Sequence, residues 1–78
     1  MPVFEKTVID ALSRGASVVV SAEQHFPDKL ERYAAAARQA GGTVTIVVGK
    51  ANLFPDAINK IAQVGGNAVV FDFVTGAP

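Results

Sequence analysis

The sequence contains no cysteine and no tryptophan, and it has a single histidine. Without cysteine the chain can form neither a disulfide nor a thiolate metal site, so its stability must come from packing within the domain or against a partner. One histidine does not provide the ligand spacing of a metal site. No cofactor-binding motif is visible either, so we expect neither a metal nor a cofactor.

Charge of one sign and long apolar runs are also missing. Seven basic residues balance seven acidic ones, so no overall positive field favours nucleic acid or an anionic membrane. No apolar run approaches the ~20 residues of a membrane-spanning helix. The first ten residues lack the basic and then apolar pattern of a signal peptide. We therefore expect a soluble, cytoplasmic protein with no membrane partner.

Three short runs rich in valine and isoleucine are the strongest structural signal. They are SVVVSA (17–22), TVTIVV (43–48) and AVVFDF (68–73). Each follows a glycine and an apolar pattern of helical period, which is typical of a strand preceded by a helix. Gly15, Gly41-Gly42 and Gly65-Gly66 stand where the helices should stop. The pattern predicts a single α/β domain over residues 1–78, with helix and strand alternating three times.

The tripeptide Phe-Pro-Asp occurs twice, at 26–28 and 54–56. Proline is tolerated in the first turn of a helix, and the aspartate meets the positive end of the helix dipole. The repeat therefore predicts the start of the second and third helices, with each phenylalanine anchored in the core. Ser21 and Gln24 have capping-box spacing, and Asn52 is a candidate cap for the third helix.

Alternating helices and strands predict a small parallel sheet of Rossmann-like or flavodoxin-like half type. Val18–Val20 is an apolar run, as in a strand covered on both faces, whereas Thr43 and Thr45 alternate with apolar residues. We expect strand order 2-1-3 with helices on both faces. The alternative order, 1-2-3, places all helices on one face and leaves the other for a partner. The Ala34–Ala37 run is a candidate self-association surface.

Several segments occur in an order that is similar to a known family. They are VVVSAEQHFPD (18–28), YAAAARQAGGTVTIVVG (33–49), FP (54–55) and AVVFDFVTGAP (68–78). Together they resemble part of the Rossmann-like domain of the DNA-processing protein A (Smf) family. The resemblance implies binding of single-stranded DNA or of a nucleotide, through anion contacts at the loop after the first strand.

The chain departs from that family within this loop. Ala22 and Phe26 stand where the family has glycines, and His25 stands where it has arginine. Glycines let backbone N–H groups approach a phosphate, and Pro27 removes one such donor. The resemblance therefore implies a truncated relative whose phosphate-binding loop is degenerate.

Ligands of open parallel sheets bind beyond the carboxyl ends of the strands. The candidate ligand-binding residues at that edge are Ser21, Glu23, His25, Lys50, Asn52 and Asp72. His25 is the candidate acid–base group, and Glu23 or Asp72 would orient it. A single histidine in a polar loop is more often a solvated residue, so we assign no catalytic residue.

Three functions compete. The chain is expected to be a small binding or assembly module without catalysis that self-associates, because a dimer would cover the edges of so small a sheet. The alternative is a diminished relative of the DNA-processing family that binds single-stranded nucleic acid or a nucleotide at the ends of the strands. A small enzyme built on His25 is the weakest of the three.

Overall fold

A computed structural model describes residues 5–51, 53 and 55–75. The helices are α1 (Glu5–Ser13), α2 (Pro27–Ala40) and α3 (Pro55–Gly65), and the strands are β1 (Ser17–Ser21), β2 (Thr43–Val47) and β3 (Val69–Asp72). Short 3₁₀ turns lie at Ala22–Gln24 and Gly66–Ala68. The predicted alternation of three helices with three strands is confirmed. No helix among the described residues has both the length and the apolar character needed to cross a bilayer.

The three strands form one parallel sheet in the order β1-β2-β3. The prediction of order 2-1-3 with helices on both faces is therefore wrong, and the alternative order is the observed one. Right-handed crossovers between sequential neighbours place successive helices on the same side of a sheet. Accordingly, α2 packs between α1 and α3 in a single helical layer.

The core lies between the sheet and the helical layer. Its fully buried large side chains are Leu12, Leu30, Tyr33, Val44, Ile46 and Ile61. Burying one leucine or isoleucine contributes about 1.5 to 3 kcal/mol, so this interface supplies most of the apolar stabilisation of the domain. The apolar pattern of helical period before the second strand corresponds to the buried side of α2, which includes Leu30 and Tyr33.

The opposite side of the sheet is not covered by any described helix. We call it the open face, and its residues are Ser17, Val19, Ser21, Thr43, Thr45, Val47, Val70 and Asp72. Val19 is 69% exposed and Val70 is 47% exposed. Side chains alternate between the faces of a strand, so the Val18–Val20 run, interpreted as two-sided burial, has Val19 on the uncovered side.

Gly65 allows α3 to pack closely against its neighbours. A Cβ at this position would lie 2.1 Å from Cγ2 of Val69 and 2.9 Å from Cβ of Ala34. The predicted self-association role of the Ala34–Ala37 run therefore does not apply to Ala34 and Ala37, which are fully buried inside the domain. Only glycine at position 65 fits this contact.

Both Phe-Pro-Asp copies mark helix starts, as predicted, because α2 begins at Pro27 and α3 at Pro55. The predicted core anchor is wrong for Phe26, which is 75% exposed. Phe54 lies outside the described residues, as does the candidate cap Asn52.

The predicted capping box at the start of α2 does not form. The hydroxyl of Ser21 accepts a hydrogen bond from the backbone N–H of Glu23 at 3.2 Å, so it caps the 3₁₀ turn that follows β1. The N-cap of α2 is Phe26, which has no side-chain hydrogen bond to the helix. The extra 3₁₀ turn separates the serine from the helix that it was expected to cap.

Candidate functional sites

The structure brings five of the six predicted site residues to the edge where the parallel strands end. We call this edge the rim, and these residues are Ser21, Glu23, His25, Lys50 and Asp72. The sixth, Asn52, lies outside the described residues. The rim residues share an edge, but their polar atoms bond to nearby backbone groups rather than to one another's side chains.

Glu23 links the loop after β1 to the loop after β2. Its Oε2 lies 3.4 Å from the backbone nitrogen of Lys50, which donates to it. A Cβ at Gly49 would lie 2.5 Å from the same oxygen, and Gly49 has a φ of +58°. Glycine at position 49 therefore makes room for a carboxylate at the centre of the rim. A bound phosphate would meet this negative charge, which disfavours anion binding there.

His25 is buried, with 9% of its surface exposed, so the expectation of a solvated side chain is wrong. Its Nδ1 lies 2.8 Å from the carbonyl oxygen of Ser21. A carbonyl oxygen only accepts, so Nδ1 carries the proton and donates it. The ring packs edge-to-face against Tyr33, with centroids 5.1 Å apart and planes at 78°. His25 is thus a bridge between the end of β1 and the second helix.

The geometry does not pair His25 with either carboxylate that was expected to orient it. Oε2 of Glu23 faces the backbone of Lys50, and Oδ1 of Asp72 accepts from the residues that follow it. Within the described part of the chain, Nε2 of His25 and the hydroxyl oxygen of Tyr33 are buried without a hydrogen-bond partner. These buried atoms belong to the interior of the domain, so they offer no exposed acid–base pair.

The burial of His25 and the exposure of Phe26 have one cause. Both residues have extended backbone, with φ and ψ of −137° and 143° at His25 and −76° and 154° at Phe26. Neighbouring side chains of an extended segment point in opposite directions. The segment therefore turns the histidine inward and the phenylalanine outward, which is the reverse of the expectation from residue type.

Burial raises the pKa of the Tyr33 hydroxyl above its ordinary value of 10.0. The nearby carboxylate of Glu5 raises it further, while the guanidinium of Arg32 acts in the opposite direction. The folded state therefore holds this proton more tightly than the unfolded state does. The resulting stabilisation is present below the unfolded pKa and is lost as the pH rises through the folded value.

Asp72 forms a local turn directly after β3. Its Oδ1 accepts hydrogen bonds from the backbone nitrogens of Val74 at 2.9 Å and Thr75 at 3.0 Å. The bond from the Thr75 N–H, then the Thr75 hydroxyl, and then the Val74 N–H lower the pKa of the Asp72 carboxyl below 3.8. This predicted ligand-binding residue has a structural role that accounts for its type and position.

Asp72→Asn is expected to lower the thermal unfolding midpoint at neutral pH, because the ionised carboxylate accepts the turn hydrogen bonds. The folded pKa is the lower one, so this stabilisation exists above 3.8 and is lost as the pH falls through the folded value. Melting curves followed by circular dichroism over a pH series should therefore show the two proteins converging in acid. Thr75→Ala, which removes the hydroxyl bond alone, should give a smaller effect of the same form. A difference that is constant with pH would contradict this role.

The cations of α2 are directed at neighbouring helices. Nζ of Lys29 and Nη1 of Arg32 lie 3.9 and 3.3 Å from the carboxylate of Glu5 on α1. Nη1 of Arg38 lies 3.3 Å from the carbonyl oxygen of Val64 at the end of α3. The two exposed ion pairs with Glu5 contribute only about 0 to 1 kcal/mol each. Together with the contact of Arg38, they do mean that these three side chains form no free basic stripe for a nucleic acid.

A cleft lies at the amino ends of the strands, away from the rim. Its volume is about 560 Å³, and Gly41-Gly42 and Gly65-Gly66 meet there because β2 and β3 are neighbours. Helices α2 and α3 direct their carboxyl ends, which carry partial negative charge, towards it. Arg38 lies in this cleft and donates to the carbonyl oxygens of Gln63 and Val64 at the end of α3. The features of this cleft are therefore explained by the packing of two helix ends, with Arg38 as a hydrogen-bond donor to one of them.

The pocket at the rim is smaller, about 170 Å³, and is lined by residues 23–26. Among the described residues, no three histidine or acidic side chains are arranged to hold a metal ion. The chain matched no protein-family model, no curated protein and no solved structure. The fold is a small α/β unit of half Rossmann-like type, and the relation to the DNA-processing protein A family stays a prediction.

Proposed function

We propose that this chain is a small assembly module without catalysis that works as a homodimer, in which the open faces of two copies pack together. The observation that carries the proposal is the all-parallel sheet, which the described helices cover on one side only. Parallel sheets occur almost exclusively with both faces covered. A second copy supplies the missing layer.

The composition of the open face fits a copy of itself. Its residues are valine, serine and threonine, together with one acidic side chain, Asp72, at a corner. No lysine or arginine lies among them, so the face does not repel itself and offers little attraction to a polyanion. Val19 and Val70 expose apolar surface on either side of Thr45, and packing removes that surface from water.

The size of the face sets the expected affinity. Three strands about 4.8 Å apart and five residues of about 3.3 Å each give a flat area of roughly 240 Å². A standard interface buries about 800 Å² per partner, so the contact must extend beyond the strands. Exposed Phe73 and Val74 follow β3 directly, and the longer dimensions of the domain, 34 and 29 Å, leave room for this. Interfaces at the lower end of the size range are typical of weak, transient contacts, so we expect a dissociation constant of about 1 to 100 μM.

Sedimentation velocity from about 1 μM to about 1 mM is expected to show a monomer that converts to a dimer. Thr45→Arg places a charge at the centre of the open face and should weaken the dimer at least ~100-fold, because an unpaired buried charge costs about 3 to 5 kcal/mol. Ala35→Arg places the same charge on the exposed side of α2 and should leave dimerisation unchanged.

A wild-type chain that remains monomeric over this range would refute the proposal. Equal sedimentation of Thr45→Arg and wild type would refute the assignment of the interface to the open face. Circular dichroism of each variant establishes that the fold is retained, since both substituted positions lie outside the core.

Binding of a nucleic acid or nucleotide at the rim stays a prediction from the family resemblance. Exposed Phe26 offers a ring on which a base could stack. Against this, the carboxylates of Glu23 and Asp72 lie at the same edge, and Glu23 occupies the space beside Gly49. A phosphate-binding groove needs basic groups in that place, so the geometry favours the assembly module.

A further inference from the structure

Resting on the proposed homodimer, we infer its orientation: the twofold axis runs parallel to the strands, so that β1 of each copy packs on β3 of the other. Sheets that pack face to face commonly keep their strands roughly aligned, and a twofold axis within the interface allows this in two ways. An axis along the strands sets β1 against the partner's β3. An axis across the strands sets every strand against its own counterpart. In both arrangements Thr45, in the middle of the central strand, lies at the axis.

The register of the sheet makes these two arrangements chemically different. The middle row of the open face is Val19, Thr45 and Val70, and the row at the carboxyl end is Ser21, Val47 and Asp72. With the axis along the strands, each row of one copy faces the same row of the other copy. The order of the strands is reversed, so residues of β1 lie opposite residues of the partner's β3. Val19 then packs on the partner's Val70, and Ser21 lies opposite the partner's Asp72.

The contact between Ser21 and Asp72 joins a donor to an acceptor. The Ser21 hydroxyl accepts from the N–H of Glu23, which leaves its own proton free to donate. The Asp72 carboxylate is an acceptor, and a charge-assisted hydrogen bond of this kind is stronger than a neutral one. Symmetry repeats the pair on the other side of the axis, so the single acidic group of the face gains a donor in addition to the N–H groups of Val74 and Thr75.

The axis across the strands lacks this match. The carboxyl-end row would then meet the amino-end row, and Ser21 would face the partner's Ser17. Asp72 would lie beyond the start of the partner's β3, outside the rows of the open face. The carboxylate keeps the turn hydrogen bonds from Val74 and Thr75 in this arrangement, but its remaining acceptor sites gain no donor from the partner. The distribution of donor and acceptor along the rows therefore selects the axis parallel to the strands.

This orientation can be tested by introducing opposite charges on β1 and β3. Val19→Glu alone and Val70→Lys alone should each weaken the dimer at least ~10-fold, because each places a charge against valine. The double variant carries both changes on one chain. With the axis along the strands it forms two carboxylate–ammonium pairs and should recover a dimer within ~10-fold of wild type. An equimolar mixture of the single variants should likewise form a heterodimer, detectable by sedimentation.

The other axis gives the opposite result. It sets like charges against each other, so a double variant that dimerises more weakly than either single variant, together with a mixture that does not associate, would overturn the orientation. In that case the wild-type dimer and its loss in Thr45→Arg would still stand. A monomeric wild type would instead overturn the proposed function. Val19 and Val70 are solvent-exposed in the single chain, so the fold tolerates both charges.

Discussion

Ile46→Ala is expected to lower the free energy of unfolding by about 2 to 5 kcal/mol, through lost burial and the cavity left behind. Ile46 is fully buried in the central strand, between the sheet and the helical layer. A domain of this size has a total stability of roughly 4 to 12 kcal/mol. The substitution therefore removes a large share of it, and urea unfolding followed by circular dichroism would show a much lower midpoint.

Thr45→Ala is the matched control, because Thr45 is the adjacent residue on the open face. Its loss should stay within about 1 kcal/mol, the range of strand propensity, at concentrations where the chain is monomeric. The difference between the stability losses of Ile46→Ala and Thr45→Ala shows that only one face of the sheet is buried within the chain. Similar losses at both positions would mean that both faces are buried within one chain.

Gly65→Ala is expected to cost about 2 to 3 kcal/mol, since the added methyl group overlaps with Val69 and Ala34. Neither neighbour can yield easily: Val69 is β-branched and opens β3, and the Ala34 Cβ is fixed to α2. Urea unfolding measures the loss. Gly41→Ala is the comparison, because a Cβ there meets nothing within 4 Å and the cost is the strain of a φ of +77°, about 1 kcal/mol.

A second substitution separates overlap from other effects of losing Gly65. Val69→Ala removes the atom that lies 2.1 Å from the added methyl group. The double variant should therefore lose less stability than the two single variants combined, as expected for residues in contact. Strict additivity would show that the overlap with Val69 is not the source of the loss. Recovery remains partial because the contact with Ala34 persists.

The order of helices and strands follows from residues that act locally. Within a helix, proline is tolerated only in the first turn, as at 27 and 55, and glycine at 41 adopts the left-handed conformation that ends a helix. For these residues the amino-acid type alone restricts the backbone conformation, without any contribution from distant contacts. The helix starts and the element order were predicted for this reason.

The strand order depends on long-range packing, which the sequence expresses ambiguously. The Val18–Val20 run fits two-sided burial and also fits one buried side with an exposed valine. The more informative signal is the alternation of Thr43 and Thr45 with buried Val44 and Ile46 in β2. That pattern belongs to a central strand with one uncovered face, whereas the expected order 2-1-3 places this strand at an edge of the sheet.

The rim was predicted as a location but not as a set of contacts. That parallel strands bring their carboxyl ends to one edge follows from topology alone. Which of His25 and Phe26 points inward depends on the phase of two extended residues, and no sequence pattern fixes that phase. The contact between Glu23 and Gly49 likewise joins two loops whose distance in space is set by the finished sheet.

The order β1-β2-β3 also bears on how the domain forms. Each strand pairs with the next strand of the chain, so every pairing closes a loop of one helix and its turns. Short loops cost little entropy to close, and folds rich in such local pairings form quickly. The first two helix–strand units can pack while the third is still being synthesised, since none of their mutual contacts waits for it. With β1 in the centre, β3 would instead pair with β1, and that pairing would close a longer loop containing α2, β2 and α3.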